Sequence, residues 1–191
     1  MNENPELQAQ NQDPSPKKND GSETLDWLQC IVSAIVVCIL LFTFVLRVVS
    51  VVGTSMVPTL EESDRLVVSK LFYEPKYGDI VVLRKLSFKD DAIIKRVIAT
   101  EGQTVDIDFD KGIVYVDGTA LDEPYVNELV SDPEDFTDPV TVPEGCVFVM
   151  GDNRNHSTDS RYSKIGCVDT RLILGKAYLR LMPFSKFGGL Y

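Results

Sequence analysis

Between Trp27 and Leu46 the chain runs twenty residues without a charge. At a rise of 1.5 Å per residue, a helix of that length spans about 30 Å, the thickness of a bilayer core. Trp27 stands at one end, where aromatic belts lie, and Arg47 closes the other. A buried core helix and a cleavable signal peptide are the alternatives. Against the second, the flank before the run is acidic, the apolar stretch is long, and no small-x-small site follows directly. An uncleaved signal anchor fits best. It divides the chain into a polar tail (1–26), a transmembrane anchor (27–46) and a remainder (47–191). Lys17 and Lys18 flank one side and Arg47 and Arg65 the other, so counting positive charges leaves the orientation open.

Composition narrows the function classes. Residues 1–22 are rich in Asn, Gln, Pro, Asp and Lys, and cannot bury enough surface to offset chain entropy, so they are expected to be disordered. Lys+Arg 19 against Asp+Glu 29 gives a net charge of −10, which argues against a nucleic-acid partner. With one histidine, four cysteines and no Cys-x-x-Cys, the chain does not supply a His/Cys zinc site, and no metal or cofactor is expected. Cys30 and Cys38 lie in the apolar run as small hydrophobes. Cys146 and Cys167 could form a disulfide outside the cytoplasm or remain free thiols.

Beyond the anchor the pattern predicts a mainly β fold. Arg65–Phe72, Asp79–Arg84 and Ala92–Ala99 are short runs rich in Val, Ile and Leu, bounded by turn signals at 61–64, 75–79 and Lys89-Asp90-Asp91. Thr104–Asp108 and Gly112–Gly118 resemble a hairpin. Residues 119–145 are acidic and proline-bearing, an elaboration outside the core. Cys146–Met150 is a further strand, 151–166 a polar loop, and Gly175–Met182 the last strand. There is no internal repeat, no phosphate-binding glycine loop and no long amphipathic helix in this part.

The candidate chemistry begins at Gly53-Thr-Ser-Met-Val-Pro-Thr-Leu60, a turn that holds Ser55 just past the anchor. A serine is a weak nucleophile without a neighbouring base. His156, the single histidine, lies in a polar loop and is one candidate. A buried neutral lysine is the other. Moving its pKa from roughly 10.4 to 7–8 costs about 4 kcal/mol, so it must sit on an apolar strand face. On a strand, Lys95 shares a face with Ile93 and Val97, and Lys70 with Val68 and Phe72. Either could be desolvated or could snorkel to water, and periodicity does not choose between them. The stretch from Met150 to Arg161 packs Asp, Asn, Arg and Ser densely after an apolar strand. It could build an ion-paired framework with a serine orienting the lysine, or a solvated loop with weak salt bridges.

These residues resemble the bacterial type I signal peptidases, membrane-anchored serine endopeptidases with a Ser/Lys dyad. The resemblance rests on Ser55-Met-Val-Pro-Thr-Leu60, Asp64-Arg-Leu-Val-Val-Ser-Lys70, Gly78-Asp-Ile-Val-Val82, Ile94-Lys-Arg-Val-Ile98, Met150-Gly-Asp-Asn-Arg154 with Ser157-Thr-Asp-Ser-Arg161, and Gly175-Lys-Ala177. The blocks keep the family's order over about residues 25–187.

The resemblance implies Ser55 as nucleophile and Lys95 as general base, with Ser157 hydrogen-bonded to the lysine. Asp152, Asp159 and Arg161 would be loop scaffold, and the Ser55 N–H would serve the oxyanion hole. Some members add a serine hydroxyl two residues before the nucleophile; here that position is Gly53, which implies an oxyanion hole with less side-chain help, as in the Gram-positive-like members. Ala99-Thr100-Glu101-Gly102 departs from the family's more usual Gly-x-Pro-Gly turn. The implied fold is an all-β catalytic core (47–104 and 141–191) with a β-rich insertion (105–140). The implied substrates are secretory preproteins, cut after small residues at the first and third positions before the scissile bond, with Met56 and Ile94 lining the pocket. The implied topology is a cytoplasmic tail and an extracytoplasmic catalytic domain at the plasma membrane. A Ser/Lys self-cleaving repressor-type protease and a non-catalytic anchored β module are the rival readings. The first lacks a DNA-binding segment in residues 1–46.

Overall fold

The computed structural model describes residues 20–84 and 92–190. Most of the expected disordered tail, the Lys89-Asp90-Asp91 turn and the terminal Tyr191 lie outside the described residues. The chain divides into two units, one ending at Leu40 and the other running from Leu41 to Tyr191.

Helix α1 spans Asp20–Phe44. Its window Thr24–Leu41 has a mean hydropathy of 2.2 and is wholly unburied, so it is long and apolar enough to cross a membrane. The helix starts ahead of Trp27 and stops before Leu46. Val45 and Leu46 both donate to the Leu41 carbonyl, and the chain then turns extended.

The second unit is mainly β. Its larger sheet comprises β1 (Arg47–Ser50), β2 (Arg65–Ser69), β3 (Ile80–Leu83) and β4 (Ile93–Thr100). After the smaller sheet come β9 (Cys146–Met150), β10 (Val168–Asp169), β11 (Ile173–Met182) and β12 (Gly188–Gly189). The order is β1-β2-β11-β3-β4-β9-β10, with β12 on β11. All its pairings are antiparallel. The smaller sheet holds β5 (Thr104–Asp108), β6 (Ile113–Val116), β7 (Thr119–Ala120) and β8 (Val140–Thr141), in the order β7-β6-β5-β8. Among the described residues of this unit, the remaining helical turns are three-residue 3-10 segments.

Burial explains why these runs are strands. All four residues of β3 are buried, as are residues 94–99 of β4, because both strands lie inside the sheet with apolar layers on each face. Alternate β4 residues serve different layers. Ile93 and Val97 pack with Val81, Val149 and Ile173, whereas Ile94 packs with Met56, Leu60 and Leu66. Phe148 and Met150 of β9 join the smaller sheet's Val105, Ile107, Val114 and Val116 in a third cluster. There Phe136 stands edge-on to Phe109 and to Phe148, at 6.1 and 6.0 Å between ring centroids.

Two departures from the sequence pattern bear on the site. β2 ends at Ser69, so Lys70 and Phe72 are not strand residues; both are exposed, and Phe72 has φ 50°. The expected apolar face around Lys70 therefore does not form. β1 was hidden in the sequence because its Val-rich run continues directly from the apolar helix. It is fixed instead by pairing with β2, Arg47 opposite Val68 through Ser50 opposite Arg65.

Phe148 has no exposed surface. Phe148→Ala should destabilise the second unit by about 3–5 kcal/mol in chemical denaturation of the detergent-solubilised chain. An effect under about 1 kcal/mol would show that the cluster it joins is not core.

Candidate active site

Ser55 sits in a turn tied down from two sides. Within the turn, Val57 N–H donates to Thr54 O at 3.1 Å and Leu60 N–H to Met56 O at 2.8 Å. From the far loop, Asn153 N–H donates to Ser55 O at 3.0 Å, and Asn153 Nδ2 to Thr54 O at 3.1 Å. Met56 and Leu60 plug the turn into the core. The nucleophile candidate is thus fixed by backbone contacts, and its hydroxyl is left for chemistry.

The Lys95 ammonium nitrogen lies 2.7 Å from Ser55 Oγ. Lys95 is 4% exposed, on the central strand β4 between β3 and β9. Burial pushes its pKa down from 10.5 to about 8; the Asp159 carboxylate pulls the other way, and Arg161 adds to the lowering. The structure therefore separates the two lysines that periodicity left open. Lys70 is exposed, and its ammonium donates to Arg171 O at 3.3 Å. His156 is exposed and has no hydrogen bond to Ser55 among the described residues, although it lines the same cavity.

Residues 151–161 form a buried framework. Arg96 Nε and Nη2 grip both oxygens of Asp152 at 2.8 and 2.7 Å, with 1% and 0% exposure. Asp152 also accepts from the Thr59 hydroxyl, which joins it to the Ser55 turn. Asp159 accepts from Arg161 Nε, from Gly151 N–H and from Ser157 Oγ, at 2.9, 2.9 and 2.8 Å. The Arg161 Nη2 group reaches Arg154 O and Ser157 O at 2.6 and 3.0 Å. Arg154 in turn makes a two-pronged pair with Glu123. Buried charges of this kind stand only when paired and hydrogen-bonded.

One implied contact differs. Ser157 does not hydrogen-bond Lys95; its hydroxyl donates to Asp159. The hydroxyl hydrogen is committed to the carboxylate, and the lysine's hydrogen bond goes to Ser55 Oγ instead. Ser157 nevertheless lies against the Ser55 turn, because Gly151 lets the two approach. A Cβ on Gly151 would stand 2.2 Å from Ser157 Oγ and 2.4 Å from Ser55 O.

Gly53 has φ +84°, a conformation that strains any L side chain, although space around it is open. The Ser55 N–H has no partner among the described residues, so one backbone donor is free beside the hydroxyl. Met56 and Ile94 are buried and line, with Gly53, Ser55 and Lys95, a cavity of about 460 Å³. Cys146 and Cys167 are not joined in a disulfide. No cluster of metal-ligating side chains occurs among the described residues.

Several residues near the dyad escaped the sequence reading: Arg96, Thr59, Gly151, Glu123 and Glu134. Arg96 carried a signal. An arginine between Ile94 and Ile98 on a buried strand needs a carboxylate, and Asp152 was the candidate at hand. Glu123 and Glu134 carried none, because they come from the acidic stretch 119–145. Glu134 has one buried oxygen without a partner, and burial, then Asp159, push its pKa up to about 7.

A family profile described as signal peptidase, peptidase S26, matches residues 24–182. A probable signal peptidase I-1 of Synechocystis sp. is 44% identical over 168 residues, covering 82% of each chain. Signal peptidase I of Bacillus licheniformis is 36% identical over 179 residues, covering 88% of this chain and 94% of its own. The crystal structure of a signal peptidase I from Enterococcus faecalis V583 is 31% identical, covers 55% of this chain and 97% of its own, and has a TM-score of 0.44.

The lysine's displaced pKa gives a stability test. Between about 8 and 10.5 the unfolded chain holds a proton that the folded chain has lost. Stability must therefore rise with pH across that window, and the full burial cost applies below it. At about 1.4 kcal/mol per pKa unit the cost is about 3 kcal/mol. Lys95→Met should accordingly be more stable than wild type at pH 7, with the gain shrinking towards pH 10.5. A Lys95→Met chain less stable at pH 7, or a gain independent of pH, would contradict this.

Proposed function

The chain belongs to the signal peptidase family, peptidase S26, and on that premise we propose that Ser55 is its nucleophile and Lys95 its general base. The protein is a serine peptidase that removes signal peptides, and its substrates are preproteins. The observation that carries the residue assignment is the 2.7 Å contact between a buried lysine amine and a serine hydroxyl.

The chemistry follows from that contact. A neutral Lys95 accepts the Ser55 proton as Oγ attacks the scissile carbonyl. The resulting ammonium donates a proton to the leaving amine as the carbon–nitrogen bond breaks, which releases the mature protein and leaves an acyl-serine. Lys95, neutral again, takes a proton from water as water attacks the ester. The proton returns to Ser55 Oγ as that bond breaks. The free Ser55 N–H is suited to the oxyanion, and Gly53 offers no hydroxyl to assist it. The Arg96–Asp152 and Arg161–Asp159 pairs touch no reacting atom in this scheme and act as positioning groups.

Specificity and topology belong to the same reading. Residues 49–54 and 92–94 border the cavity at Ser55, so an extended signal peptide can lie between them by strand addition. Met56 and Ile94 wall the space for a small side chain before the scissile bond, which favours cleavage after small residues at positions −1 and −3. Residues 47–104 and 141–191 act as the catalytic core, and 105–140, most of the smaller sheet, as an insertion. The apolar helix and the relatives point to membrane anchoring. We place the tail in the cytoplasm and the catalytic unit outside the plasma membrane, where signal peptides are presented.

The test is cleavage of a peptide bearing a small-x-small site by the full chain in detergent. Ser55→Ala and Lys95→Ala should each lower kcat by about a thousandfold or more. Lys70→Ala and His156→Ala should retain most of it. An active Lys95→Ala with a dead Lys70→Ala or His156→Ala would overturn the assignment of the base.

A further inference from the structure

A second hollow, away from the dyad, has no part in the chemistry above. It encloses about 390 Å³ between the start of β1, the turn after β2 and the start of β11. Arg47, Lys70 and Arg171 line it, and no acidic residue does. That is unusual on a chain whose net charge is −10. Arg171 is paired with Asp169, just outside the lining, at 2.5 Å, and is 87% exposed. Lys70 spends one donor on the Arg171 carbonyl at 3.3 Å and has two left. Arg47 is exposed, with no side-chain partner among the described residues. Arg47 thus faces the open hollow without an ion pair, and Lys70 faces it with the Asp169 carboxylate, shared with Arg171, as its only counter-charge among the described residues. Its remaining walls are largely apolar, from Val45, Val68, Ile173 and Leu174.

Two independent observations indicate what enters. Val45 and Arg47 follow within six residues of Leu41, the end of the apolar window, so the hollow's edge is tethered by sequence to the helix end. The turn that carries Lys70 also displays Leu71 and Phe72, 53% and 97% exposed. Phe72 holds φ 50°, a strained conformation for a bulky residue, and gains no packing from it. In water this costs free energy; at a bilayer surface an aromatic side chain belongs.

We infer that the Arg47–Lys70 hollow binds the phosphate of an anionic lipid headgroup, with Leu71 and Phe72 set against the glycerol and upper acyl region. The cations supply charge-assisted hydrogen bonds to phosphate oxygens. A filled site would hold the catalytic unit at a fixed height on the membrane. The inference rests on the apolar helix being a membrane anchor and does not use the Ser55–Lys95 assignment.

The full chain in non-ionic detergent is titrated with phosphatidylglycerol, phosphatidylcholine or inorganic phosphate. Thermal shift reads affinity, native mass spectrometry counts bound lipid, and circular dichroism checks each variant's fold. One phosphatidylglycerol should bind more tightly than phosphatidylcholine. Arg47→Glu and Lys70→Glu should each weaken it by about fivefold or more. Lys111→Glu, in the turn between β5 and β6, should not, and Phe72→Ser should weaken lipid but not inorganic phosphate. Three results would overturn the proposal: equal binding of the two lipids, equal loss in Lys111→Glu, or inorganic phosphate binding as tightly as phosphatidylglycerol, which would make the hollow a free-anion site. The wild-type comparison decides even if a charge-reversal variant misfolds. Recovery of the chain as soluble protein without detergent would identify a failure of the anchor reading instead.

Discussion

The burial of one ammonium group governs the arrangement of this site. Lys95 is placed on the inner strand β4, where water cannot solvate its charge, and the neutral amine becomes accessible near neutral pH. A carboxylate bonded to it would cancel that effect by restoring the charged form. No hydrogen bond or ion pair joins Lys95 to a carboxylate among the described residues. Its one hydrogen-bond partner there is the Ser55 hydroxyl. Asp159 is close enough to be felt electrostatically, but its oxygens are taken up by Arg161, Gly151 and Ser157. The architecture supplies negative charge to the framework and withholds it from the base.

Such a lysine must be held still, because a four-carbon side chain with no partner would otherwise wander. Here the strand fixes one end and the serine turn the other. That turn is anchored to the 151–161 loop through Asn153 and through Thr59 and Asp152. Arg96 adjoins Lys95 on the same strand and grips Asp152. The lysine strand and the serine turn are therefore cross-linked through one carboxylate. The guanidinium–carboxylate pairs add rigidity more than stability, since buried pairs seldom exceed an apolar replacement in net free energy. Precision at the dyad is the better reason for them to be there.

Much of this arrangement is legible in the sequence. The mainly β fold followed from Val- and Ile-rich runs separated by turn signals, because a short apolar run bounded by turns is the mark that a strand covered on both faces leaves. The anchor followed from the absence of charge over twenty residues. The apolar face of Lys95 could be read, yet the same pattern applied to Lys70. What separated them was where β2 stops, and strand ends are set by tertiary pairing that periodicity does not encode. β1 was invisible because its valines merged with the apolar helix. Glu123 and Glu134 were lost in an acidic stretch whose composition suggested only solvent exposure. That Ser157 bonds to Asp159 and Lys95 to Ser55 is a matter of distances, which the sequence does not carry.

The central claim is that Lys95 is a desolvated amine poised next to Ser55. Its most direct test is the titration of the Lys95 side chain itself, by NMR on the full chain in micelles with 13C-labelled lysine, the resonance being assigned by its loss in Lys95→Met. A midpoint near 8 is expected, well separated from the other lysines. A midpoint near 10.5, with the bulk of the lysines, would contradict the account.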